Sequence, residues 1–173
     1  MSAAQGSAEL VGGSGIAWPP GLAPGAAYVH AHNEMVIPAP AELCFAWLRR
    51  GGLWPTWYAN CGWFRFDSAS GPDLELGTSF TWQTFHAPVH STVRRVEPPR
   101  HLEWDATAFG IRAAYHAWLL VPQGDRCLVI TEETQVGLLP FLFRWYLKGM
   151  LQRGHQTWLE GLRTVTANGQ PPA

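Results

Sequence analysis

The sequence predicts an α+β fold in which a curved, seven-stranded antiparallel sheet wraps around a long C-terminal helix, with two short helices after the first strand. Three observations predict it. From Leu138 to Ala167, Phe143, Leu147, Leu151, Trp158, Leu162 and Val165 recur at steps of three, four or their sum, while Arg144, Lys148, Gln152, Gln156, Glu160 and Arg163 trace the opposite stripe, the mark of one amphipathic helix. Between about residues 62 and 136 the apolar period changes to two. The breaks in that stretch are short, so neighbouring strands run antiparallel, and strands followed by a long helix sort into an α+β layout.

Residues 1–27 are rich in Gly, Ala, Ser and Pro and read as a flexible tail, with Trp18 before Pro19-Pro20 as the one residue able to tuck against a domain. Gly12-Gly13-Ser14-Gly15 lacks the Lys-Ser/Thr ending and the preceding strand of a phosphate loop. Tyr28 to Ile37 reads as the first strand, stopped by Pro38-Ala39-Pro40. Ala41 to Arg49 is a short helix with Leu43, Ala46 and Trp47 on one face, closed by Gly51-Gly52, and Leu53 to Ala59 a second short helix or turn. Strands follow at about 62–68, 77–86, 89–97, 100–109, 111–121 and 126–136, separated by Gly71-Pro72-Asp73, Ala87-Pro88, Pro98-Pro99, Gly110 and Pro122-Gln123-Gly124-Asp125. Pro140 suits the first turn of the long helix, and Asn168-Gly169 with Pro171-Pro172 ends it. Roughly 28 residues at 1.5 Å each give a rod of about 42 Å. Its first part, Phe141 to Leu147, is apolar nearly all round and is expected to be covered on both sides. The domain therefore spans 28–167, with a short tail at 168–173.

Composition narrows the function. The 173 residues suit one domain with a real core. Twelve Lys+Arg against 13 Asp+Glu give a net charge of −1 without a basic run, so nucleic acid is not an expected partner. Arg144 and Lys148 interrupt an apolar run already shorter than the ~20 residues of a membrane span, so stable membrane insertion is not expected. Cys44, Cys61 and Cys127 are odd in number and widely spaced, which fits neither a disulfide framework nor a zinc motif. No signal-peptide pattern opens the chain, and the cytoplasm is the expected compartment. Ten Trp, 8 Phe and 4 Tyr imply a thick aromatic core or a lined cavity.

The succession IPAPAELCFAWL, LWPTWYANC, LGTSFTW, STVRRVEPPRHLEW and YHAWLLVPQGDRCLVITEETQVG, closed by the long helix, resembles the SRPBCC superfamily over about residues 28–167. That superfamily includes polyketide cyclase/dehydrase-like, START and Bet v 1-like proteins. The resemblance implies the helix-grip fold and an apolar cavity between sheet and helix, used by some members for passive binding and by others for cyclisation or dehydration. It implies no catalytic signature, so candidate residues rest on strand parity and chemistry.

Leu102, Trp104 and Ala106 alternate with His101, Glu103 and Asp105, which points the apolar set inward and the acidic set to solvent. Trp82 shares a face with Phe80 and is a wall candidate. Residues 115–120 leave both parities open; the resemblance favours His116, Trp118 and Leu120 as inward. Glu132 and Glu133 lie on opposite faces of the following strand, so one of them looks inward. A carboxylate in a dry cavity beside an imidazole makes a proton-transfer pair, and His116 with Glu132 is the catalytic candidate. Trp57, Tyr58, Trp104, Trp118, Tyr146 and His155 complete the candidate ligand-binding set, as rigid rings or polar tips near the cavity. The pairs His30/His32 and His86/His90 lack a third ligand, so no metal is expected, and no other cofactor is required. No nucleophile elbow or dinucleotide fingerprint is present. The expectation is a monomer or homodimer that encloses a hydrophobic, aromatic or polycyclic small molecule, either as a cofactor-independent polyketide cyclase/dehydrase-like enzyme or as a non-catalytic carrier or sensor of hydrophobic ligands or lipids.

Overall fold

The computed structural model describes residues 15–68 and 71–172. Residues 1–14 of the expected tail, including most of the Gly12–Gly15 run, lie outside the described residues. Seven strands form one sheet: β1 (Val29–Ile37), β2 (Cys61–Phe66), β3 (Ser79–Thr84), β4 (Ala87–Glu97), β5 (His101–Ala108), β6 (Ile111–Gln123) and β7 (Arg126–Val136). Their order is β1-β7-β6-β5-β4-β3-β2, and every neighbouring pair is antiparallel. Two short helices, α1 (Ala41–Arg49) and α2 (Trp54–Trp57), connect the two edge strands. The chain ends in α3 (Leu138–Leu142) and α4 (Arg144–Thr166), and α4 lies against the sheet. Described helices are none of them long and apolar enough to cross a membrane.

The expected single rod is broken. Phe143, at φ −120° and ψ 28°, leaves helical geometry and separates α3 from α4. The break lets α3 turn back on the β5–β6 hairpin, where Leu139 N–H donates to Gly110 O at 3.1 Å. Gly110 has φ +74°, and a Cβ there would come within 2.4 Å of the Leu139 side chain, so turn and contact both require glycine. The break also leaves the Phe141–Tyr146 segment uncovered: Phe141, Leu142, Phe143, Trp145 and Tyr146 are each more than half exposed. Coverage on both sides is therefore not what this segment has.

Large and small residues divide the concave face by rows. Register places Leu102, Trp118 and Thr131 in one row, Trp104, His116, Glu133 and Ala31 in the next, and Ala106, Ala114, Gln135 and Val29 beyond. Where the bulky rows meet α1, α2 and the second half of α4, rings fill the space. Trp54 packs edge-on against Phe64, Phe80, Trp82 and Trp158, and Trp158 stacks on Tyr58 at 4.2 Å between centroids. Toward α3 the alanine row is too small to reach the helix, and a hollow remains.

The convex face is covered too, which the alternation of residues 101–106 does not announce. Residues 15–27 pack across it instead of trailing in solvent. Trp18 meets Tyr115 and His30 edge-on, Leu22 is buried with Tyr115, Ala117 and Val136, and Thr134 Oγ1 donates to Leu22 O at 2.7 Å. Beneath this strap Glu103, expected in solvent, is fully buried; it accepts from Tyr115 Oη at 2.7 Å and Arg95 Nη1 at 3.1 Å, and contacts His101 Nδ1 at 3.1 Å. Arg95 Nη1 also donates to Gly15 O at 2.7 Å, tying strap to sheet. Glu103→Ala leaves the buried Tyr115 hydroxyl without its acceptor and takes one partner from the half-buried Arg95, and is expected to cost roughly 1–3 kcal/mol. Hydrogen exchange in residues 15–22 should accelerate with it; an unchanged urea midpoint would contradict this account of the strap. The C-terminal segment is likewise anchored, by Trp47 Nε1 donating to Gly169 O at 2.7 Å.

Candidate functional site

The hollow between the alanine row and the first half of α4 is a cavity of about 200 Å³. Trp82, Trp104, Ala106 and Ala114 line it from the sheet, Leu147, Leu151 and Trp158 from α4, and Phe109, Ile111 and Leu139 from the end nearest α3. Phe85 closes one side. Phe85 and His86 form the β3–β4 turn at φ 49° and 63°, an uncommon state for bulky residues. The Phe85 ring lies on α4 at Gly154, where a Cβ would come within 2.3 Å of Phe85 Cζ.

One polar cluster interrupts this apolar lining. His116 from β6, Glu133 from β7 and His155 from α4 meet at the row's centre, and among the described residues they are the one group of three side chains able to hold a metal ion. Glu133 Oε2 lies 3.3 Å from His116 Nδ1 and 3.3 Å from His155 Nε2. His116 Nε2 is 2.8 Å from Thr131 Oγ1, and Gln135 Nε2 donates to Glu133 Oε1 at 2.7 Å. The His116 ring stacks on Trp118 and lies 4.7 Å from Trp104. His155 Nδ1 and Trp158 Nε1 are buried without a hydrogen-bond partner.

Burial pushes His116 down from 6.5 to about 4, against the opposing pull of Glu133, and His155 adds to the fall. Burial raises Glu133, but its contacts with His116 and His155 outweigh burial and hold the carboxyl well below the usual range. His116 is therefore neutral and Glu133 ionised near neutrality. The unfolded chain binds a proton on His116 between pH ~6.5 and ~4 that the folded chain refuses, so stability falls as pH drops through that window, on the order of 3 kcal/mol. Glu133 stabilises above its unfolded value and adds to the loss only at lower pH, as the medium falls through its depressed folded value. Urea midpoints measured in chelator should show this slope, and His116→Gln should flatten it; equal slopes would contradict it.

The structure thus brings Tyr58, Trp82, Trp104, His116 and His155 to the cavity. Trp118 lies behind His116 in the filled core, Trp57 lies close to Gly161 of α4 and packs against that core away from the cavity, and Tyr146 is in the exposed segment. Glu132 is the correction: it points to the convex face, where it meets His30 Nε2 at 2.8 Å and His32 Nδ1 at 3.3 Å, and Glu133 takes the place beside His116. The signal was in the turn. Gln123 pairs with Arg126 across the two residues Gly124-Asp125, and counting back from that hairpin sets His116 opposite Glu133. A four-residue break over Pro122–Asp125 leaves this register open.

The geometry has counterparts. The model of the family described as "Polyketide cyclase / dehydrase and lipid transport" matches residues 28–167. Among solved structures, a hypothetical protein, jhp0584 from Helicobacter pylori, shares 25% identity at a TM-score of 0.78, over 87% of this chain and 95% of that one. The ZhuI aromatase/cyclase from Streptomyces sp. R1128 shares 16% identity at a TM-score of 0.66, over 82% and 98%. A START superfamily protein from Mycobacterium smegmatis shares 13% at 0.58, over 78% and 92%. No curated protein matches the chain in sequence. With the family model spanning the sheet and the long helix, and with the helix-grip architecture around the cavity, the chain belongs to the polyketide cyclase/dehydrase and lipid transport family of the SRPBCC superfamily.

Proposed function

We propose that this protein encloses a small hydrophobic molecule carrying an aromatic ring in the cavity beneath α4, and that the cluster at its inner end acts on a polar group of that guest. The observation that carries the proposal is an apolar hollow whose charge-bearing side chains are confined to His116, Glu133 and His155. At about 200 Å³ it lies below the ~300–1,000 Å³ of drug-sized sites, so it accepts a small aromatic molecule or one end of a longer one. Proton transfer is the chemistry on offer. An imidazole takes a proton and Glu133, held ionised, stabilises the imidazolium that forms. His155 is the better placed of the two because its Nδ1 has no partner, whereas Thr131 occupies His116 Nε2. The family description and the aromatase/cyclase neighbour support an aromatic polyketide-like substrate class. The test is incubation of purified protein with small aromatic polyketones and phenols, following both retention and mass. Retention with conversion supports the enzyme; retention alone leaves a carrier; no retention of any such compound overturns the proposal.

A second reading, a carrier loaded at a membrane surface, is favoured by the exposed segment at the cavity's α3 end. Trp145 and Tyr146 are 77% and 67% exposed, and the stretch between Glu133 and Glu160 holds Arg144, Lys148 and Arg153 without a carboxylate. Aromatic rings beside cations suit an anionic bilayer interface. Co-sedimentation with anionic but not zwitterionic vesicles, lost in Trp145→Ala/Tyr146→Ala, would support it; equal behaviour toward both vesicles would remove it.

A further inference from the structure

We propose that His116, Glu133 and His155 form the protein side of a site for a divalent first-row transition-metal ion at the inner end of the cavity. One ligand atom from each of β6, β7 and α4 lies within 4.8 Å of the other two. Metal–nitrogen and metal–oxygen bonds of about 2.0–2.2 Å at tetrahedral or octahedral angles set neighbouring ligand atoms roughly 3.0–3.4 Å apart. Both imidazole nitrogens stand 3.3 Å from the same carboxylate oxygen, inside that range. As hydrogen bonds these contacts are long, since imidazole–carboxylate pairs run at about 2.7–2.9 Å.

The surroundings are those of a ligand set. His116 is held through its other nitrogen by Thr131 Oγ1 at 2.8 Å, and Glu133 through its other oxygen by Gln135 Nε2 at 2.7 Å. Such outer contacts fix ring orientation and aim the free lone pairs at one point. His155 has no polar partner besides Glu133, and neither Lys nor Arg lines the cavity, so no cationic side chain of the lining neutralises the carboxylate. Two histidines and one carboxylate leave coordination positions open, and here those positions face the hollow. No sequence motif marks the site because the three ligands come from three separate elements. The inference stands apart from the identity of any guest; with the ion in place the exchangeable proton of the site belongs to a metal-bound water in place of an imidazole.

The test uses Zn2+ and Co2+ alone. Chelator-stripped full-length protein should take up one Zn2+ per chain, and Co2+ should give visible d–d absorption and quench tryptophan fluorescence, since Trp104, Trp118 and Trp158 all contact the His116 ring. His155→Ala and Glu133→Gln should each weaken uptake by roughly a hundredfold or more. His30→Ala/His32→Ala should leave it unchanged, which separates this site from the outer histidines. Far-UV circular dichroism checks that the variants fold, and quenching that persists in His30→Ala/His32→Ala places the ion away from Trp18, which sits beside His30. No stoichiometric uptake, uptake without quenching, or uptake lost only in the His30/His32 variant would each overturn the assignment. None of these results bears on whether aromatic guests are retained, so the two proposals fail separately.

Discussion

Replacing Trp54 with alanine is expected to remove roughly 3–5 kcal/mol of stability, read as a fall in urea midpoint with little change in slope. Trp54 is fully buried, and its ring touches Phe64, Phe80, Trp82, Trp104 and Trp158, which come from three strands and from α4. Its indole N–H donates to Leu48 O at 2.9 Å, so truncation also leaves a buried carbonyl short of a donor. No neighbour is free to collapse into the void, because each is held by the other rings. In a domain of this size such a loss lowers Tm by roughly 10 °C. A loss below about 1 kcal/mol would show that the ring cluster is not what holds the filled half of the sheet to α4.

For any guest the wild type converts, Glu133→Gln is expected to lower kcat by about a hundredfold or more while guest retention changes little. The amide keeps the size of the side chain but carries no charge to stabilise the imidazolium formed on His155. Glu132→Gln, on the convex face, should leave kcat where it is. Equal losses of rate and retention in Glu133→Gln would reduce the cluster to cavity lining.

Much of the fold was legible in the sequence because it rests on periodicity and breakers. The observed strands begin and end within a few residues of the expected ones, α1 spans the expected Ala41–Arg49, and the two-residue alternation put Leu102, Trp104 and Ala106 on the concave face. The long helix was legible except at Phe143, where contact of Leu139 with Gly110, a tertiary fact, overrides the local pattern. Residues 15–27 could not be placed from composition: what holds them is Tyr115, Ala117 and the buried Glu103, residues that read as a solvent face until something covers them. The candidate site was half legible. His116 and His155 could be singled out as polar residues on apolar faces, but choosing between adjacent glutamates required the register of the β6–β7 hairpin, and a slip of one residue exchanges the two faces.

Filling the cavity tests the account most directly. Ala114 is buried in the alanine row beneath α4, one row beyond His116 and Glu133, and phenylalanine there projects into the hollow. Native mass spectrometry after exposure to a panel of small aromatic compounds should find one molecule per wild-type chain and none per folded Ala114→Phe chain. Equal occupancy in the two proteins would mean that the space between sheet and helix is not where this protein holds its guest.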